Sequence, residues 1–203
     1  MYGSTRVAAV QPARLLAAVI DPHSISVVLP ARNEAATVGE VVAAFRSEVA
    51  DLAEVIVVDD GSDDATAAEA EAAGALVLRH PAGRGYGAAL KTGILAAKGT
   101  FVLTADADGQ HRAADVRSFL AAAERNDLVA GHRVRLFHSA AWRLPGKWVL
   151  RRLSAYLVRR PIPDLNCGFR LFRREEIVRY MRLCPDGYSF SATSLVLMLY
   201  HRC

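Results

Sequence analysis

From Ile25 to Arg133, short β-branched runs alternate with stretches of helical period, and only a few residues separate one from the next. The runs are ISVVLP (25–30), EVIVVDDGS (54–62), LVLRH (76–80), TFVLTADAD (100–108) and DLVAGHR (127–133). Continuous apolar runs of this length read as strands buried on both faces. Between them, Val38, Val41, Val42 and Phe45 repeat at helical spacing within 35–47. TAAEAEAAGA is an alanine-rich helix closed by Gly74, GYGAALKTGILAAKG holds a helix between glycines, and AADVRSFLAAAERN is another. The alternation predicts an α/β fold with a mainly parallel central sheet and helices on both faces. Ligands of such sheets sit beyond the carboxyl ends of the strands. Here the strands end in PARNE, DDGSDD, HPAGRG, DADGQH and GHR, so the polar clusters share one edge.

A chain of 203 residues, 52% hydrophobic and 23% charged, suits one domain with a full core and excludes wholesale disorder. The formal charge is only +4, so its distribution matters more than its sum. Cys167, Cys184 and Cys203 have no metal-ligand or CxxC spacing and read as reduced, cytosolic thiols. The N-terminal VAAVQPARLLAAVI is broken by Gln11, Pro12 and Arg14, whereas a bilayer span needs about 20 apolar residues. It also lacks the charged start and cleavage site of a signal peptide. Residues 1–23 are therefore expected to form a loosely attached arm or short helix, and 24–203 one domain, with no secretion and no membrane span.

After Arg133 the pattern changes. RVRLFHSAAWRLPGKWVLRRLSAYLVRRP is basic, has no acid, and carries Phe137, Trp142, Trp148 and Tyr156. It reads either as an amphipathic membrane-surface segment or as a solvated helical face packing its leucines on the sheet. No nucleic-acid recognition motif accompanies the charge, so a nucleic-acid partner is not expected. DLNCGFRLFRREEIVRYM then predicts a strand and a helix, and GYSFSATSLVLMLYHR a last helix.

The chemistry concentrates at the strand ends. Asp106, Asp108 and Gln110 occupy alternate positions, which share a face in an extended segment. Two carboxylates held close oppose each other's ionisation unless a cation lies between them. Mg²⁺ or Mn²⁺ suits such hard oxygens, taking one or two carboxylates and completing its shell with water and phosphates. The plainer reading is a polar turn in which Asp108 and Gly109 close the strand. In DDGSDD, Asp60 is placed to accept from a base N–H or ribose hydroxyls, while Asp63 and Asp64 suit capping of the next helix. Asn33 and Glu34 end the first strand, and Asn33 serves equally well as a cap. GRGYG (83–87) has GxGxG rather than GxGxxG spacing and lacks a ribose-binding acid downstream, which argues against a nicotinamide site. Close approach of this loop to a phosphate or sugar stays open, with Arg84 and Lys91 nearby.

VVLPARNEA, VIVVDDGSDDAT, GRGYGAALKTGILAAKG, FVLTADADGQH, LVAGHR and DLNCGFRLFRREEI occur in the order and spacing of family 2 glycosyltransferases. The chain most resembles the polyprenyl- and dolichyl-phosphate mannosyl- and glucosyltransferases, over about residues 25–200. That resemblance implies the GT-A fold and inverting transfer of a hexose from GDP-mannose or UDP-glucose to a polyprenyl phosphate. It implies that Pro30, Ala31, Glu34, Asp60, Asp106 and Ala107 bind the nucleotide, and that Asp106, Asp108 and Gln110 hold a divalent metal. It places Arg133, Arg151, Arg152, Ser154 and Arg170 at the acceptor phosphate. Asp108, Arg133 and Asp164 would then carry the catalysis.

A phosphate monoester is largely ionised near neutral pH, its second pKa being about 6, so arginines that orient it matter more than a strong base. Asp164 would position Arg133 or Arg170, or take a proton. A lipid acceptor gives the basic aromatic stretch a purpose, peripheral binding at the cytoplasmic face of a membrane. Family members usually continue past the GYSF helix with a further strand and a basic loop, so a C-terminally shortened chain is expected. The rival readings are a family 2 enzyme with a soluble sugar or polysaccharide acceptor, and a nucleotide-binding module without activity. A nucleotidyltransferase would need an early glycine-rich loop with a lysine, which PARNEA does not offer.

Overall fold

The computed structural model describes residues 5–9, 25–48, 54–133, 152–159, 162 and 164–201, with the backbone alone of 5–9 and 133. Its strands are β1 (Thr5–Ala9), β2 (Ile25–Ala31), β3 (Glu54–Asp59), β4 (Leu76–Arg79), β5 (Phe101–Thr104), β6 (Leu128–Arg133) and β7 (Arg170–Arg173). They form one sheet in the order β1-β6-β7-β5-β2-β3-β4. The helices are α1 (Val38–Glu48), α2 (Thr66–Ala72), α3 (Tyr86–Ala96), α4 (Val116–Ala123), α5 (152–158), α6 (Arg174–Tyr180) and α7 (Ser189–Tyr200).

The half of the sheet read from the alternation, β5-β2-β3-β4, is parallel throughout. The other half is antiparallel: β7 lies between β5 and β6 and opposes both, and β1 opposes β6. The sheet is thus mixed, with β2 to β6 pointing one way. Residues 5–9 correct the expectation of a loose arm or short helix, for they are the edge strand of the sheet. Pairing with β6 satisfies a row of backbone groups that an open edge would leave bare, and that long-range gain is invisible in the local sequence.

Alternate residues of each strand face opposite layers, as the period of two requires. On one side Val27 and Leu29 of β2 pack with Phe45 of α1 and Phe119 of α4. On the other, Val28 packs with Ile94 of α3, Ile177 of α6 and Leu195 of α7. Helices therefore cover both faces. Pro30 is tolerated inside β2 because the pairing with β5 stops at Val28 and Thr104, before the missing proline N–H would be needed.

Candidate active site

A cleft of about 570 Å³ lies at the carboxyl ends of β2, β3 and β5, closed on its far side by the starts of α3 and α7. Pro30, Ala31, Glu34, Asp60, Asp106, Ala107 and Asp108 all line it. The sheet brings them together: Ala31 pairs with Asp59, and the Asp60 N–H donates to the Ala31 carbonyl at 2.9 Å.

The PARNE and DDGSDD turns are laced to each other. Asn33 adopts φ 57°, its N–H donates to Ser62 Oγ at 2.9 Å, and its Oδ1 accepts the Asp63 N–H at 3.0 Å. Asp64 accepts from the N–H and hydroxyl of Thr66, the first residue of α2, and from the Ala35 N–H. The Thr66 hydroxyl bond leads in holding its carboxyl below the usual aspartate value. Asp64 thus serves the helix start, and Asn33 serves the turn-to-turn link rather than a cap.

Asp60 is buried to 5% exposure, yet reaches the cleft wall. Its Oδ1 lies 2.6 Å from His80 Nδ1 and accepts the Arg84 N–H at 2.8 Å, and its Oδ2 accepts the Gly85 N–H at 2.8 Å. His80 Nε2 is 2.9 Å from Thr92 Oγ1 on α3. An ionised carboxylate only accepts, so His80 carries its proton on Nδ1. Burial pushes the Asp60 pKa up, but these bonds outweigh it and hold it below the ordinary value.

The glycines of GRGYG make a packing seam. A Cβ on Gly87 would run into the Pro185 carbonyl, and one on Gly85 would lie 2.7 Å from the Asp186 oxygen. The Ala88 N–H donates to that same oxygen at 3.0 Å, and Lys91 pairs with the Asp186 carboxylate at 2.7 Å. Lys91 is therefore engaged with α7's approach loop, and the glycines let that loop close against α3.

At the end of β5, Tyr86 donates its hydroxyl to Asp106 Oδ1 at 2.8 Å, and His111 Nε2 is 3.2 Å from Oδ2. Burial, then the Asp106 charge, drives the Tyr86 phenol far above its usual pKa. Gly168, in NCGFR, lies directly beneath: a Cβ there would be 2.6 Å from the Tyr86 oxygen and 2.9 Å from Asp106 Oδ1. Asp108 is partly exposed and accepts the Gln110 N–H at 2.9 Å.

Gln110 departs from the expected ligand set. The strand stops at Thr104 and the chain turns through Gly109 at φ 74°, so the alternate-face geometry is lost. Its side chain is exposed and does not line the cleft; its N–H instead closes an Asx turn on Asp108. Arg170 departs too. It is 1% exposed, and its guanidinium donates to the Ser191 carbonyl, to Ser194 Oγ at 3.3 Å and to the Leu165 carbonyl at 2.8 Å. Burial pulls its pKa down to about 10. An arginine sealed between β7 and α7 braces the cleft floor and does not present itself to an acceptor phosphate.

Ser154 is buried on α5, and Arg152 is exposed on the same helix. Asp164 accepts the Asn166 N–H at 3.0 Å and lies close enough to Arg170 to favour its charged form. Arg133 continues β6, but its side chain, like Arg151 and the basic stretch 134–150, lies outside the described residues. Sequence reading missed Tyr86, His80, Asn166, Tyr188 and Ser191. The only available signals were the glycines around Tyr86 and the GYSF quartet that holds Tyr188. Tyr188 is 84% exposed, and its ring stacks on Tyr86 with centroids 5.5 Å apart.

Among the described residues no three His, Cys, Asp or Glu side chains gather as a ready-made metal cage. Asp106 and Asp108 on one cleft wall nevertheless fit an ion that takes two carboxylates and draws its other ligands from water and phosphate.

The family model for glycosyl transferase family 2 matches residues 26–179. The chain belongs to that family. A dolichyl-phosphate beta-glucosyltransferase of Dictyostelium discoideum is 33% identical, covering 88% of this chain and 63% of its own. An undecaprenyl-phosphate 4-deoxy-4-formamido-L-arabinose transferase of Pseudomonas aeruginosa is 32% identical, covering 82% and 51%. The chain thus spans between half and two thirds of these family 2 relatives. Glucosyl-3-phosphoglycerate synthase of Mycobacterium tuberculosis, crystallised with Mn²⁺, UDP and glucosyl-3-phosphoglycerate, superposes with a TM-score of 0.69 at 27% identity, covering 88% of this chain and 66% of that one. The architecture is that of the GT-A glycosyltransferases.

Proposed function

We propose that this family 2 protein transfers a hexose, with inversion, from a nucleotide sugar to a polyprenyl phosphate, using Mg²⁺ or Mn²⁺. The observation that carries the reading is the convergence of Asp106 and Asp108 with Asp60 and Pro30 around one cleft at the strand ends. Asp60 and the β2 end would receive the nucleoside, and Asp106 and Asp108 are the residues that would hold the metal. The bound ion would supply Lewis-acid neutralisation of the departing diphosphate. Tyr86, donating to Asp106, fixes that carboxylate in place. Arg133 orients the acceptor phosphate for attack on the anomeric carbon from the face opposite the diphosphate, and Asp164 positions basic groups nearby.

A lipid acceptor is supported by the dolichyl- and undecaprenyl-phosphate relatives. It is also supported by α5, where Leu153, Tyr156 and Leu157 are exposed at helical spacing, with Arg152 and Arg159 exposed at its ends. On this reading the protein works peripherally at the cytoplasmic face of a membrane. No helix among the described residues is long and apolar enough to cross one. A soluble acceptor is the second reading, favoured by the likeness to the phosphoglycerate-glucosylating synthase. The test incubates purified protein, Mn²⁺ or Mg²⁺ and radiolabelled nucleotide sugars with a polyprenyl phosphate. EDTA-sensitive label in the organic phase is expected. Label moving only into soluble acceptors would replace the lipid reading with the second, and donor binding without any transfer would reduce the chain to a nucleotide-binding module.

A further inference from the structure

The hydrogen bonds already made by Asp60 restrict which nucleobase the cleft takes. An ionised carboxylate has about four acceptor positions, two on each oxygen. On Oδ1, His80 Nδ1 and the Arg84 N–H take both; on Oδ2, the Gly85 N–H takes one. A single position on Oδ2 is left, on a residue that lines the cleft. The donors that occupy the rest do not move aside cheaply. His80 is buried and anchored through Nε2 to Thr92, and the Arg84–Gly85 backbone is clamped by the Gly85 and Gly87 seam against Pro185 and Asp186.

We infer that the donor is a uridine diphosphate sugar rather than a guanosine diphosphate sugar, because Asp60 retains one acceptor position for one base N–H. This rests on the donor reading proposed above. Uracil presents one ring N–H, at N3, and that matches a single Oδ2 position. Guanine presents N1–H and the N2 amine side by side, and a carboxylate reads such a pair with both oxygens at once. Oδ1 has no position for the second bond, so guanine would leave a polar donor buried without a partner. Cytosine carries a lone pair at N3, which the same oxygen repels.

Calorimetry with the purified chain and Mn²⁺ compares UDP, GDP and the diphosphate of 3-methyluridine. UDP should bind at least about tenfold more tightly than either of the others, the size of one well-made base contact. The methylated nucleotide separates a donor-count effect from simple exclusion of the larger purine. GDP binding as tightly as UDP, or methylation leaving affinity unchanged, overturns the inference while the donor reading stands. No binding by any nucleotide overturns both. His80→Ala frees an Oδ1 position and should draw the UDP-to-GDP ratio toward one, whereas His80→Asn, which keeps a donor, should preserve it. A parallel loss of both affinities in His80→Ala, with the ratio intact, would contradict the acceptor count.

Discussion

Two acidic clusters sit at neighbouring strand ends and do different work. At the end of β3, Asp60 and Asp64 are bound by the protein itself, to His80, Arg84, Gly85, Thr66 and Ala35. At the end of β5, Asp108 accepts the Gln110 N–H at 2.9 Å, and Asp106 is steadied by Tyr86 and His111. The first cluster is held by the loops it joins, with Asp60 alone of it reaching the cleft; the second stands on the cleft wall with fewer bonds of its own. Residue type does not distinguish them. What does is whether backbone N–H groups of another loop are aimed at the carboxylate, and that depends on packing between segments far apart in sequence.

The sharpest way to break this contrast is Asp60→Ala. It would strand the His80 ring and two backbone donors in a buried site, and should lower unfolding stability by about 3–5 kcal/mol, measured by urea titration. A loss within the range of surface substitutions would mean the β3 cluster is not scaffold. The same carboxyl gives the protein an acid limb. Its folded pKa lies below the 3.8 of an unperturbed aspartate, so its contribution is complete above about pH 4 and fades as pH falls through the folded value. Asp60→Asn should flatten that limb.

Next in size is Gly87→Ala, whose Cβ meets the Pro185 carbonyl and should cost about 1–3 kcal/mol. A neutral result would show that the seam between α3 and the approach to α7 yields easily. Tyr86→Phe removes one donor to Asp106 and should cost about 1 kcal/mol in stability. Smallest is Asp108→Asn, expected within about 0.5 kcal/mol of the parent because the residue is partly exposed and supports little around it. A large loss there would erase the contrast between the clusters.

Much of the fold was legible because its signals are local. The runs at 25–30 and 54–62 and the period of Val38, Val41, Val42 and Phe45 mark strands and a helix within a few residues of their observed ends. The strand-end rule puts Pro30, Asp60, Asp106 and Asp108 at one edge of the sheet, and that edge holds the cleft they line. What escaped depends on distant partners. Thr5–Ala9 became a strand only through β6, and Arg170–Arg173 had no local sign that it would separate β6 from β5. Arg170, expected at the acceptor phosphate, is instead sealed by carbonyls of α7 and the loop before β7. Gln110 followed a strand pattern that Gly109 interrupts. His80, at the end of the LVLRH run, and Tyr86, among the glycines of GRGYG, carry no local sign of the distant groups each one touches.

The most direct test of the central claim, that Asp106 and Asp108 form a metal-diphosphate site, is a Mn²⁺ titration followed by electron paramagnetic resonance, with and without UDP. The parent protein should bind Mn²⁺ far more tightly when UDP is present, and Asp108→Asn should lose most of that UDP-dependent binding while remaining folded. Equal Mn²⁺ binding by the folded variant and the parent would contradict the account.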